Sequence, residues 1–500
     1  MNHSRTSKRT HHRGARRILL ASLAVAALAC GTTAYATYDP ATNTDTLTNQ
    51  MVSPTRGNTA AGDFKTYDYP DRNLVINWTN NSRGDGAPIR DATVNAKNIT
   101  INADFSGNQW TDKGIISDGT SHVTAGGDIN IKTHNDGVYT EGTGSTTIDG
   151  FKNLAIEATG KDKKYYFILF AGYTGGYGLV DNANGITVTG EENSTVNIST
   201  AASIQAAVGN SVASSKLGTG ITISAGQINI TSPYKAIFAG PGKNGDFAVK
   251  MNANTVDIKG LVNASNGGTV SINPDTEGTV TLTAGEGGYE KVTASTNSIE
   301  SSGKGSKVSI NENKGGKVKI TGDVLASEGG TIDLKLTGDN SYLKGNLTTE
   351  ASTGDTATST INAGFSGSNT TLTGDADNAG SMGLTFDNGS SWTGNLNNTS
   401  GTSTVGLSNG SSWTGDLTNT SGTTTVNLDG SIWEGAATGD GDITLTNGSL
   451  WSLSADSMAN SVNLDSNSVI SLTGAAHTLE TMSLGGQRWH IPHGPELSGR

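Results

Sequence analysis

The sequence predicts an all-β solenoid, and three observations carry that expectation. Between Leu384 and Leu453 a short motif returns four times, as LTFDNGSSWTGNLNNTSG, VGLSNGSSWTGDLTNTSG, VNLDGSIWEGAATGDG and LTNGSLWSLS. Its tryptophans, Trp392, Trp413, Trp433 and Trp451, stand 21, 20 and 18 residues apart. Each follows a short alternating stretch (Leu384/Phe386, Val405/Leu407, Val426/Leu428, Ile443/Leu445) and an Asn-Gly or Asp-Gly turn signal. The third observation is composition: 68 of 500 residues are Gly, only 33% are hydrophobic and 16% charged, which suits a thin rod with a narrow core. A unit of about twenty residues cannot bury its own apolar row, so only a stack of units is stable. The reading is a right-handed parallel β-helix with the four indoles in one structural stack. An antiparallel sandwich with regularly spaced turns is the alternative.

Taken in order, the chain opens with a leader. Arg5, Lys8, Arg9, Arg13, Arg16 and Arg17 precede an apolar run from Ile18 to Ala29, and Ala34-Tyr35-Ala36 offers a small-x-small cleavage pattern. Residues 1–36 therefore read as a signal peptide of an exported bacterial protein. Arg16-Arg17 suggests the twin-arginine route, but no cofactor is called for and general secretion is favoured. The only cysteine, Cys30, lies in this leader.

Residues 37–70 are polar and weakly periodic, and predict a loosely ordered N-terminal cap. From 71 to 330 strands alternate with Gly-, Asn- and Asp-rich turns at irregular spacing, beginning with Leu74-Val75-Ile76, Ile99-Thr100-Ile101, Ile129-Asn130-Ile131 and Leu154-Ala155-Ile156. From Ile186 the period-2 pairs become steady: Ile186/Val188, Val196/Ile198, Ile228/Ile230, Val256/Ile258, Val280/Leu282 and Val318/Ile320. Residues 331–486 are the regular coils of about twenty residues. Upstream of the tryptophans, Leu372 with Gly374 and Leu343 with Gly345 occupy the Trp and Gly positions. At ~20 residues per coil and ~4.8 Å per rung, the whole predicts a rod of roughly 100 Å.

Charge and motifs narrow the function. Outside the leader, 27 Lys/Arg face 45 Asp/Glu, a balance that does not suit nucleic acid. Arg83-Gly84-Asp85, in a Gly- and Asn-rich turn, is a candidate receptor-binding tripeptide. Tyr165, Tyr166, Phe167, Phe170 and Tyr173 are a candidate exposed aromatic patch, with a buried strand beneath a loop as the alternative. His122 and His134 lack a ligand pattern and read as solvated turn residues. His490 and His493 lie in an atypical tail, 487–500, and the Gly175-Gly176-Tyr177-Gly178 run before Asp181 reads as a glycine turn rather than a calcium repeat. No Gly-Asp-Ser-Gly or Gly-x-Ser-x-Gly nucleophile segment is found, so no catalytic, cofactor or metal residue is assigned and the chain is not expected to be an enzyme.

The stretch ITGDVLASEGGTIDLKLTGDNSYLKGNL, followed by GSSWTGNL and GSSWTGDL, resembles the passenger region of autotransporter adhesins, the type V secretion proteins of Gram-negative bacteria. The resemblance is specific over about 316–486 and compositional over 70–315. It implies a pectin-lyase-like β-helical passenger, displayed through an outer-membrane barrel and serving adhesion, autoaggregation, biofilm growth or virulence. The implied partners are glycans or proteins of host and neighbouring cells, or sister rods. The family's C-terminal β-barrel is missing from the pattern before Arg500, which predicts a truncated passenger, cell-surface or secreted if exported fully and periplasmic if not. Two alternatives remain: a β-helical polysaccharide lyase or hydrolase using surface carboxylates such as Asp323 and Asp333, and a nonfunctional fragment.

Overall fold

The computed structural model describes residues 36–53, 66–78, 87–103, 113–159, 178–200, 206–210, 218–242, 247–286, 296–351, 357–472 and 477–486. The leader up to residue 35, the Arg83-Gly84-Asp85 turn, the aromatic segment Tyr165–Tyr173 and the 487–500 tail lie outside them. The described chain contains strands and turns but no helix.

Among the described residues every strand pairing is parallel except one, and each strand's ladder partners come from the coils above and below. Three sheets result. The first follows Ile186, Ile221, Val249, Val270, Val308, Ile332, Ile361 and Met382, each level with the next. The second follows Ile129, Leu154, Val196, Ile228, Val256, Val280 and Val318, and continues on the neighbouring column through Ile320, Leu343, Leu372 and the four tryptophans. The third runs from Ile115 through Val138, Leu179 and Val208 to Ile299, Leu347, Leu396 and Leu417. Each of these residues is buried, so the period-2 pairs read from the sequence do point inward. The chain is a parallel β-helix.

The corners explain the turn signals. Asn388 and Gly389 both have positive φ (56° and 72°), as do Asn409–Gly410 and Asn447–Gly448. Between two strands such a pair ordinarily closes a hairpin. Here it turns the chain from the first sheet to the second, and the flanking strands find their partners one coil away.

Where described, the polar N-terminal segment forms strands: Thr37–Asp39 pairs antiparallel with Thr44–Thr48, which in turn pairs parallel with Asn73–Asn77. Arg72 lies between the rings of Tyr38 and Tyr69, 4.5 and 4.6 Å from their centroids, and reaches Asp45 at 3.3 Å. Tyr67 donates to Asp45 at 2.7 Å, and burial followed by that hydrogen bond holds its hydroxyl above the usual phenol range. Stacking and ion pairing thus join the buried Leu47, Met51 and Val52 in building the cap, and hydrophobic periodicity does not register those polar contacts. Over the described residues the rod is shorter than the period implied. The second sheet climbs through seventeen rungs among the described residues, ~80 Å at ~4.8 Å per rung, because upstream coils spend up to 42 residues per rung (Leu154 to Val196).

Candidate functional surface

The tryptophans form the predicted stack. Ring centroids of Trp392, Trp413, Trp433 and Trp451 are 4.6 Å apart with interplanar angles of 5°, 3° and 2°. That distance is the strand spacing itself, so parallel in-register pairing dictates the stacking. Phe386 and Phe365 extend it upstream, at 5.8 and 4.7 Å. Each indole Nε1 donates to a glycine carbonyl one coil back: Trp392 to Gly374, Trp413 to Gly394, Trp433 to Gly415 and Trp451 to Gly435, at 2.9–3.0 Å. The Trp-x-Gly spacing follows. Gly394 has φ of 151°, and a Cβ there would stand 1.9 Å from the Gly374 carbonyl oxygen. All four indoles are buried, so the stack holds the rod together and touches no ligand.

Beside the glycine column runs a polar ladder that periodicity did not reveal. The backbone N–H of Asn346 donates to Asp323, Asp375 to Asn346, Asn395 to Asp375, Asp416 to Asn395 and Ala436 to Asp416, at 2.7–2.9 Å. Asp and Asn alternate along it, so carboxylates stand two rungs, ~9.6 Å, apart instead of one. The Gly-Asp, Gly-Asn, Gly-Asp, Gly-Asn sequence of the repeats was the available signal. Inside the next corner, Asn378 and Asn398 are buried and bond one another at 3.1 Å, while donating to Ser403 and Thr424 hydroxyls.

The remaining sequence candidates resolve into structural roles. His122 stands on a strand, not a turn, and meets Asp149 at 2.7 Å with Thr124 also donating to that carboxylate. His134 sits in a bend yet is buried, contrary to its reading as a solvated turn residue. Asp181 is fully buried and accepts from Thr140 Oγ1 and from the backbone of Ala183, Gly185, Thr219 and Gly220. Its lone pairs organise a corner. Asp333 pairs with Lys307 at 3.0 Å and accepts from Asn362. On the outer face of the third sheet, Lys235 lies 4.7 Å from the Phe238 ring centroid and 3.3 Å from Asn263. Burial lowers its ammonium pKa and raises that of the Glu300 carboxyl, whose attraction partly opposes the first effect. Among the described residues no group of three or more His, Cys, Asp or Glu is placed to hold a metal ion.

What faces solvent over the regular coils is a flat grid. On the second sheet one outward column reads Lys319, Tyr342, Thr371, Ser391, Ser412, Ile432, Leu450 and Val469. The column beside it reads Lys344, Thr373, Thr393, Thr414, Glu434 and Ser452. Thr and Ser fill its middle, while Ile432 and Val469 are 48% and 38% exposed. Outward aliphatic side chains are thus aligned on this sheet, as Met458, Met482 and Leu484 are exposed on another, and exposed apolar clusters are what contacts are commonly made through. The repeat signals it: GSSWTG becomes GSIWEG and then GSLWSL, with the inward Trp kept and the outward residues changed. No family model, curated protein or solved structure matches the chain.

Proposed function

We propose that the chain is the β-helical passenger of an autotransporter-type surface protein, exported across the inner membrane and acting in adhesion, autoaggregation or biofilm formation. The observation that supports this reading most directly is the outward grid on the second sheet: short hydroxyl side chains at strand spacing, ending in an apolar ridge, on a stiff column. A rod of this kind holds its contact groups in fixed register without ordering cost at the moment of contact. Its partners are then surfaces, either glycans and proteins of another cell or a neighbouring rod, met through many weak contacts whose sum is avid. The test is binding of the purified chain to bacterial and host cell surfaces. Binding above that of a variant carrying Ile432→Lys, Leu450→Lys and Val469→Lys is the expected result. Equal binding by the two, with the variant folded, would remove the support for an adhesive face.

A further inference from the structure

We propose that Lys235 and Asn263 are joined by an isopeptide bond that the folded chain makes for itself, the lysine amine displacing ammonia from the asparagine side chain and tying two successive coils together. The inference is independent of the adhesive reading, since it concerns the third sheet and not the second. Lys235 lies in the strand Gly220–Ala239 and Asn263 in the strand Ala248–Ser265, which pair in parallel one rung apart. Phe238, Asn263 and Glu300 are level with one another on three successive rungs. Parallel register therefore stacks a phenyl ring, an amide and a carboxyl in one outward column. Lys235 reaches into that column from the side. Its Nζ is 3.3 Å from Asn263 Oδ1 and 4.7 Å from the centroid of the Phe238 ring. Asn263 and Phe238 are buried, and Lys235 and Glu300 are half-buried.

An amine condenses with an amide when its nitrogen carries a lone pair beside the carbonyl carbon and an acid stands ready for the oxygen. Burial supplies both conditions. It disfavours the charged form of each group, lowering the pKa of the Lys235 ammonium and raising that of the Glu300 carboxyl, and their mutual attraction opposes this only in part. Exposed pairs on the same rod behave in the opposite way. Lys250 and Lys259 bond Asp275 and Glu286 on open faces and hold both carboxyls below their usual range. At the buried site, Lys235 Nζ attacks Asn263 Cγ and forms the new C–N bond, while Glu300, level with Asn263 on the next rung, gives its proton to Oδ1. Glu300 then carries the surplus proton of the lysine nitrogen to Nδ2. The C–Nδ2 bond breaks, ammonia leaves, and the Oδ1 proton returns to Glu300 as the carbonyl re-forms. One amine and one amide become one substituted amide and ammonia, with nothing oxidised or reduced. The bond runs along the rod axis, in coils that lie outside the indole stack.

The test is tryptic peptide mapping of the purified, folded chain by mass spectrometry. Trypsin should fail to cut after Lys235, and one branched peptide should join the segment bearing Lys235 to the segment that begins at Gly260, lighter than their sum by one ammonia. A succinimide at one of the Asn-Gly turns loses the same ammonia but leaves Lys235 cleavable, so ammonia loss without the branched peptide counts against the bond. Lys235→Arg keeps the charge and should abolish the branched peptide. Glu300→Gln keeps the shape and should slow its formation about a hundredfold, read as the branched fraction against time. Unchanged far-ultraviolet circular dichroism shows that both variants fold. A parent cut normally after Lys235, with Gly260 heading an unbranched peptide, overturns the bond. A Glu300→Gln chain branched as fully as the parent at every time overturns the part given to that carboxyl.

Discussion

In the coils between Asp128 and Thr321 the second sheet is wide, and each of its strands turns two aliphatic side chains inward: Leu154 and Ile156, Val196 and Ile198, Ile228 and Ile230, Val256 and Ile258, Val318 and Ile320. From Tyr342 onward the strands shrink to three residues with one inward side chain, first Leu343 and Leu372, then tryptophan. The lost column does not vanish. Ser341 takes the place level with Val318, accepting from its backbone N–H at 3.0 Å and donating to Gly338. Ser390, Ser411 and Ser449 repeat the arrangement as buried turn residues. A short coil thus replaces two aliphatics by one indole and a serine that closes the corner. Interiors are packed to crystal density, so a narrower sheet needs a larger single side chain. The upstream coils keep small side chains and absorb their extra length at the corners, with 24 to 42 residues per rung between Leu154 and Val318.

The comparison predicts where one substitution does most harm. Trp413→Ala removes the only large inward group of its rung and leaves the Gly394 carbonyl without its indole donor. Gly394→Ala drives a methyl into the Gly374 carbonyl. Each should cost about 3–5 kcal/mol, against about 1 kcal/mol for Ile258→Val, where the second aliphatic, Val256, remains. Hydrogen exchange localises the effect, since each coil leans only on its neighbours. Loss of protection over 381–452 with 247–283 unchanged is expected. Equal loss across both stretches would mean that the two halves melt as one body and that the indole stack has no local role.

A middling effect is expected at the corner ladder. Asn395 separates Asp375 from Asp416, and Asn395→Asp would set three carboxylates on successive rungs, ~4.8 Å apart. The cost should be about 0.5–1 kcal/mol at low salt and shrink as ionic strength rises. Thermal melts at two salt concentrations measure it. A salt-independent loss would point to the altered hydrogen bond to Asp416 as the cause.

The β-helix and its tryptophan register were legible because inward residues obey two simple periods, two along the strand and about twenty along the chain. Leu343 and Leu372 fell into the indole column for the same reason. The N-terminal cap was not legible, since its buried apolar residues, Leu47, Met51, Val52 and Tyr67, follow no steady period and Arg72 between two tyrosines completes it. Nor was the burial of His134, or the Asp–Asn ladder, because hydrogen bonds between coils join residues twenty or more positions apart that no local pattern links. The outward grid was half visible: the departure from GSSWTG to GSIWEG stands in the sequence, but only strand register shows that Ile432, Leu450 and Val469 share one column.

The smallest expected effect concerns acid, and it separates the halves by a different physical route. In the regular coils Asp387 accepts from Asn409 and Ser408 of the next coil, and these hydrogen bonds hold its carboxyl below the usual carboxylate range. Asp465 is lowered likewise, by Ser468 and by the backbone of Asn447. A depressed folded-state pKa gives stability that is full above the unfolded value, near ~3.9, and that drains as pH falls through the folded one. Upstream, the half-buried Glu300 carboxyl is shifted the opposite way by desolvation, so its ionisation opposes folding as pH rises. Acid should therefore loosen the regular coils first. Asp387→Asn should flatten the fall in stability between pH 5 and pH 3 without steepening it elsewhere, as read from denaturant midpoints followed by tryptophan fluorescence, to which four of the chain's seven tryptophans contribute from that half of the rod. A slope unchanged by the substitution would show that the hydrogen bonds to Asp387 persist when it is protonated, and that inter-coil donors at this exposed corner bind the neutral acid as well as the anion.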